Sequence, residues 1–250
     1  MDDPLLLRYS RHILLDELGP DAQARFASAH ALIIGVGGLG APAAQFLAAA
    51  GVGTLSLCDA DSVDLTNLQR QILYATADIG QPKVEAAVAR LAAVNPDVAL
   101  RPLAMRVDAE ALTTLVAEAD VAVDCSDNFA TRHAVNRACV AARKPLVSGA
   151  AIRFDGQVAV FDARDPASPC YHCLFGEGDE IEETRCATMG VFAPLVGIVG
   201  ATQAAEALKL LAGAGESLAG RLLVLDALAM EWRELRVPRD PACTVCGGRE

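Results

Sequence analysis

The stretch Ala31-Leu32-Ile33-Ile34-Gly35-Val36-Gly37-Gly38-Leu39-Gly40 decides the fold. Four apolar residues make a strand-length run, and glycines then punctuate a tight turn into an alanine-rich segment. Such glycines let backbone approach a phosphate, and a helix opening behind them adds unpaired N–H groups. A second apolar run, Thr54-Leu55-Ser56-Leu57-Cys58, ends at Asp59. An acid at that point is placed to hold ribose hydroxyls. To this point the pattern is that of a dinucleotide site. Beyond it come Asp61, then Asn67-Leu68-Gln69-Arg70-Gln71, then Lys83. Backbone amides can hold a pyrophosphate bridge, but a triphosphate about to be split needs positive charge and a metal as well.

Working outward, apolar runs at 31–35, 54–58, 98–103 and 120–125 read as strands. Segments 40–50, 82–93, 109–117 and 129–142 between and after them read as helices. Strands alternating with helix-length segments predict a mostly parallel, Rossmann-like α/β sheet with crossover helices. Pro82 suits the first turn of its helix, and Asn95-Pro96 stops it. After about residue 145 the texture changes. Asp155-Gly156 between apolar runs suggests a hairpin turn, hence antiparallel strands continuing the sheet. A polar loop at about 163–188 follows, with a hinge expected there. A buried helix over 190–213 and strands at 221–226 and 230–236 come next, before a cysteine-bearing tail. The expected organisation is one unit over 1–250: a helical arm (1–30), a nucleotide-binding half (31–145) and a second half (146–250) carrying a cysteine knuckle.

The 250 residues suffice for a substantial core, and 53% of them are hydrophobic with only 4% aromatic. A net charge of −11 argues against nucleic acid as the main partner, since phosphate backbones are bound by clustered Lys and Arg. The start Met1-Asp2-Asp3-Pro4 carries no signal-peptide pattern. Phe26–Cys58 and Ala187–Ala205 lack Asp, Glu, Lys and Arg, yet glycines and polar residues such as Thr202 and Gln203 interrupt them. Both read as buried segments of a cytoplasmic protein rather than membrane spans.

Eight cysteines divide into two groups. Cys170-x-x-Cys173 and Cys243-x-x-Cys246 are paired CxxC motifs whose four thiolates satisfy a tetrahedral structural zinc. Disulfides are the alternative, as is thioredoxin-like redox chemistry. Structural disulfides do not suit a cytoplasmic chain, and neither pair is expected to open a helix after a strand. Cys58, Cys125 and Cys139 sit in apolar patterns as small core residues. Cys186, beside Arg185 and before a helix start, is a candidate nucleophile or an incidental loop cysteine.

Arg70 and Lys83 are candidates for triphosphate oxygens, and Asp127, past the fourth strand, for Mg²⁺. Each has a plainer reading: a surface ion pair for Arg70, a first-turn residue for Lys83, and a helix cap for Asp127-Asn128. Arg8-Tyr9-Ser10-Arg11-His12 forms a basic knot on an amphipathic helix. Pattern alone does not place it near the glycine turn.

These motifs together resemble the ubiquitin-activating-like adenylyltransferases, the family of the molybdopterin-synthase and thiamine-pathway sulfur-carrier adenylyltransferases. The resemblance covers nearly the whole chain. It rests on Arg8-Tyr9-Ser10-Arg11, the Gly35–Gly40 turn, Asp59-x-Asp61, Asn67–Gln71, Gly80-Gln81-Pro82-Lys83, Asp124-x-x-Asp127-Asn128, Pro145–Ala150 and both CxxC pairs. It implies a homodimer that uses ATP to adenylate the C-terminal glycine of a ubiquitin-like sulfur carrier ending in Gly-Gly, with sulfur from a separate donor. Gly35, Gly37, Gly38 and Gly40 would then line the phosphates, and Asp59 the ribose. Asn67, Arg70 and Lys83 would meet the triphosphate, with Asp61, Gln71 and Asn128 nearby. Asp127 would hold Mg²⁺, Arg11 would reach the partner subunit's ATP, and Cys186 matches a loop cysteine that links to the carrier in some members. The molybdopterin, thiamine and tRNA-thiolation pathways are all open. The competing readings are an NAD-dependent dehydrogenase, resting on the glycine turn and Asp59 alone, and a non-catalytic, zinc-stabilised nucleotide-binding protein.

Overall fold

The structure, a computed structural model, describes residues 3–176 and 189–248. In chain order the elements are α1 (Asp3–Arg8), α2 (Ser10–Ile13), α3 (Gly19–Ser28), β1 (His30–Ile34), α4 (Gly40–Ala49), β2 (Thr54–Cys58), α5 (Lys83–Val94), β3 (Ala99–Leu103), α6 (Ala109–Glu118), β4 (Val121–Asp124) and α7 (Phe129–Ala142). There follow β5 (Pro145–Ile152), β6 (Asp155–Asp162), α8 (Tyr171–Leu174), α9 (Ala193–Ala212), β7 (Arg221–Asp226) and β8 (Glu231–Arg236).

Among the described residues the eight strands form one sheet in the order β3-β2-β1-β4-β5-β6-β7-β8. Pairing is parallel from β3 to β5 and antiparallel from β5 to β8. The apolar runs of β1 and β4 are buried along almost their whole length, as central parallel strands covered on both faces must be. Strand order reverses between β1 and β4, so the turns leaving both strands open onto one crevice at the carboxyl edge.

Helix α9 is 20 residues long and apolar enough to cross a membrane. Half of its apolar stretch is buried within the fold, and it packs on α3, α4, β5 and β6 as a core helix. Its small residues allow this: Gly200 lies against the Leu39 carbonyl and Pro42, while Val196 packs on Gly38.

Three expectations are corrected. The Asp155-Gly156 pair is not the hairpin turn: it lies in β6, with Asp155 opposite Ile152 and Gly156 opposite Ala151. Arg153 and Phe154 make the turn instead, Arg153 at φ +52°. Gly156 is needed because a Cβ there would run into Leu195 and Val199 of α9. Arg8–His12 is not on one helix, since α1 ends at Arg8 and α2 begins at Ser10. Tyr9 between them is buried, stacked on Gly51, with its hydroxyl accepting a 2.8 Å bond from Asn95 Nδ2. Finally, Cys170 does open a helical turn, α8, within the span expected to be loop.

Candidate active site and metal centre

The crevice is built from backbone first. Gly35 takes φ +85°, and a Cβ on it would strike the Cys125 carbonyl, so the turn leaves β1 pressed against the turn leaving β4. A Cβ on Gly40 would collide with the Gly35 carbonyl, which lets α4 start directly behind the loop. Its first-turn N–H groups and dipole face the space in front of Gly37 and Gly38, suited to an anion.

Asp59 is tied to this turn. Its Oδ2 accepts from Val36 N at 2.8 Å and its Oδ1 from Asp61 N at 2.9 Å. Lys83, 5% exposed, sends Nζ to Asp61 Oδ2 at 2.8 Å and lies 3.9 Å from Asp59 Oδ2. Lys83 begins α5, where the helix dipole disfavours a cation. Two carboxylates therefore hold an ammonium at a place that neither helix propensity nor packing recommends. Only Asp61 of the three is well exposed, so a phosphate could take the ammonium over from it.

The segment between Asp61 and Lys83 wraps over the turn. Asp64 caps a short helical turn by accepting from Thr66 N and Oγ1, and those bonds hold its carboxyl below the usual carboxylate range. Asn67 lies in that turn, and Arg70 donates to the Thr66 carbonyl at 3.0 Å. Gln71 is buried beside Gly37, with its Oε1 lacking a hydrogen-bond partner among the described residues. Burial beside Asp59 and Asp78 raises the Tyr74 phenol far above its ordinary range, so it stays a donor, and it donates to the Val36 carbonyl at 2.7 Å.

At the end of β4 the Asp127-Asn128 pair divides its work. Asn128 caps α7, its Oδ1 accepting from Thr131 N at 2.8 Å, while Asp127 is exposed at the crevice. The capping reading is therefore met by Asn128, and Asp127 takes no part in the cap. Beneath them Asp124 is fully buried, its Oδ1 accepting from Ser126 N and Oγ. Buried Arg132 donates to the Ser126 carbonyl at 2.6 Å. Gln203 of α9 donates to the Asp124 carbonyl at 2.8 Å, clamping helix to strand.

Tyr74, Arg132 and Gln203 were not singled out from sequence. Arg132 had a signal, since Asn128, Arg132 and Asn136 recur every fourth residue and so share one face of α7. Gln203 had another, as a polar residue in an otherwise uncharged apolar run. Arg11 is exposed on α2 and meets nothing in the crevice among the described residues of its own chain. Cys186 lies outside the described residues.

The second centre gathers Cys170, Cys173, Cys243 and Cys246, their sulfurs all within 4.8 Å of one another. Three of the separations are 3.9, 3.7 and 3.4 Å. Tetrahedral zinc with bonds of about 2.3 Å needs sulfurs about 3.8 Å apart, so the donor set fits that ion. The same geometry answers the redox reading, because each CxxC faces the other pair. Asn136 of α7 supports the knuckle, donating to Cys170 Sγ and accepting from Tyr171 N at 2.9 Å. Arg239 donates to the carbonyls of Cys246 and Gly247. The other three thiols and Arg239 hold the Cys246 thiol down at about 7 despite its partial burial. Cys58, Cys125 and Cys139 are buried, and burial pushes the Cys58 thiol up to about 11.

A family model described as the ThiF family matches residues 9–245. The chain belongs to the ThiF family. It is 46% identical over 250 residues to the molybdopterin-synthase adenylyltransferase of Escherichia coli (strain K12), covering 99% of this chain and 98% of that one. It is 48% identical over 248 residues to the sulfur carrier protein ThiS adenylyltransferase of the same strain, with the same coverage. Among solved structures, E. coli MccB with MccA-N7isoASN matches with a TM-score of 0.85 at 26% identity, covering 97% of this chain and 75% of that one. E. coli MccB with ATP matches at a TM-score of 0.81, with 26% identity and coverage of 91% and 70%. The ThiF-family assignment agrees with the expected resemblance and leaves the dehydrogenase reading without a relative among these.

Proposed function

We propose that this chain uses ATP to adenylate the C-terminal carboxylate of a ubiquitin-like sulfur carrier ending in Gly-Gly, releasing pyrophosphate. The observation that carries this reading is Lys83, an ammonium held beside the glycine turn by Asp59 and Asp61 in a ThiF-family chain. The backbone of Gly35, Gly37, Gly38 and Gly40 and the start of α4 would receive the phosphates, and Asp59 the ribose. Lys83 would exchange Asp61 for a phosphate oxygen, with Arg70 and Asn67 closing over the triphosphate. Gln71 brings its amide nitrogen, a donor, beside Gly37, and Asn128 orients Asp127 by capping α7. Mg²⁺, when bound at Asp127, would supply charge neutralisation on the phosphates.

The carboxylate is already ionised at neutral pH, so attack on the α-phosphorus needs neutralised charge rather than a general base. The bond from carrier oxygen to α-phosphorus forms as the bond to pyrophosphate breaks. Arg11 would serve the site of the partner in a homodimer, which gives an otherwise idle exposed cation its task. Zinc in the four-cysteine knuckle would pin the tail to α7 and α8. Cys186 is the candidate thiol for a covalent link to the carrier in the later sulfur step, sulfur coming from a separate donor. The setting is cytoplasmic.

Pyrophosphate exchange against a panel of purified Gly-Gly-ended carriers tests this reading. Carrier-dependent exchange with one of them is expected. NAD binding without ATP binding, or no exchange with any carrier, would overturn it.

A further inference from the structure

A cavity of about 390 Å³ opens at the amino ends of β1, β4 and β5, on the sheet edge opposite the glycine turn. Arg25, Arg143, Lys144 and Arg164 line it, on a chain whose net charge is −11. Two acids are close. Asp120 lines the cavity and accepts from His30 N at 2.9 Å. Asp162 takes both Nε and an NH2 group of Arg164, at 2.8 and 2.7 Å. Arg164 is thereby neutralised. Arg25, Arg143 and Lys144 have no acidic partner within ion-pair distance among the described residues. Arg90, Arg101, Arg221 and Arg233 elsewhere do.

Helix ends explain part of this. Arg25 lies in the last turn of α3, and Arg143 caps the C-terminus of α7, where cations are favoured. That accounts for one cation at each helix, and leaves Lys144 and the cavity itself unexplained. Arg143 also holds φ +52°, the left-handed conformation that glycine adopts freely at a helix end and other residues resist. Leu210 and Leu211 of α9, partly buried against the core, add an apolar part to the lining.

We propose that this cavity binds a small phosphate-bearing molecule, with Arg25, Arg143 and Lys144 on the phosphate and the two leucines on its body. Guanidinium groups match phosphate oxygens in pairs, and the volume lies in the range of small-molecule sites. The site is separate from the glycine turn, so it stands whether or not the adenylation reading does.

Calorimetric titration of the full chain tests it, with inorganic phosphate and phenyl phosphate as probes. Saturable binding of one molecule per chain is expected, undiminished by Lys83→Ala. Phenyl phosphate is expected to bind at least tenfold tighter than inorganic phosphate; equal affinities would overturn the role given to the leucines. The variant Arg143→Gly with Lys144→Gln should weaken binding at least tenfold. Its fold is safe, because glycine suits the left-handed position, and an unchanged melting temperature checks that. Binding that survives this variant, disappears with Lys83→Ala, or occurs for a polyglutamate peptide but not for phosphate would overturn the proposal.

Discussion

At the glycine turn, residues from four segments of chain are held by backbone and by one another: Val36 and Asp61 on Asp59, Asp61 on Lys83, Tyr74 on Val36. At the cysteine knuckle, two segments meet through four sulfurs and the Thr244–His172 contact, with Asn136 and Arg239 as struts. The turn is a pre-assembled cradle whose cations already have partners, so losing its ligand costs the fold little. The knuckle brings four thiols to the spacing that a tetrahedral metal would need. One centre should therefore fail in activity and the other in stability, and the predictions test how cleanly the two separate.

The largest effect is expected at the knuckle. Cys246→Ser, or removal of zinc by a chelator, should cost several kcal/mol of folding free energy, lowering Tm by ~10 °C or more in a chain this long. Thermal unfolding with and without added zinc measures it. Exchange activity of the protein still folded at low temperature should change little. An unaltered Tm would mean that the sulfurs hold no ion that matters to folding.

Lys83→Ala should do the reverse. Losing a preorganised cation at the transferring phosphate costs about 10²–10³ in kcat/KM. Tm should shift by no more than a few degrees, because Asp61 is largely exposed and can hydrate. If Tm collapses as well, the ammonium is structural and the cradle is not pre-assembled.

Arg11→Ala should lower exchange by an amount comparable with Lys83→Ala, although Arg11 meets nothing in its own crevice among the described residues. Mixing the two inactive variants and allowing subunits to exchange restores one intact site per mixed dimer. About a quarter of wild-type activity is then expected from random pairing. No recovery would show that Arg11 acts within its own chain, or that no dimer forms.

Much of this comparison was readable beforehand, for a physical reason. The parallel strands are short apolar runs between glycines, so periodicity finds them, and the switch point follows from their order. The cysteine spacing is dictated by coordination geometry and equally plain. What escaped were contacts between elements distant in sequence. Gly156 looks like a turn residue and is in fact a clearance for Leu195 and Val199. Tyr74 looks like any buried aromatic until its hydroxyl is seen on the Val36 carbonyl. Tyr74→Phe should consequently cost about 1 kcal/mol from the lost buried hydrogen bond. A loosened turn should appear as a severalfold rise in KM for ATP, with kcat nearly unchanged. A change in kcat alone would place Tyr74 in the chemistry instead.

The smallest effect concerns the strap over the cradle. Asp78 accepts from Ala75 N at 2.8 Å and pairs with Arg90 of α5 at 2.9 Å. The backbone bond first, and Arg90 second, hold its carboxyl below the ordinary carboxylate range. A carboxyl depressed by folding adds stability above its unfolded pKa, about 3.9, and loses it as pH falls through the lower folded value. Wild-type Tm should therefore fall with acidification below about pH 4 more steeply than that of Asp78→Asn, which lacks the titrating group. At neutral pH the variant should melt slightly lower than wild type. Because the strap carries Asn67 and Arg70, their hold on the triphosphate should weaken over the same acid interval in wild type. The knuckle is tied to α7 rather than to this segment, and a metal bound there should leave at higher pH than the strap loosens, because its thiolate ligands take up protons first. Zinc release and Tm followed together through an acid titration separate the two: coincident transitions would mean that strap and knuckle unfold as one unit, and the division drawn between the centres would fail.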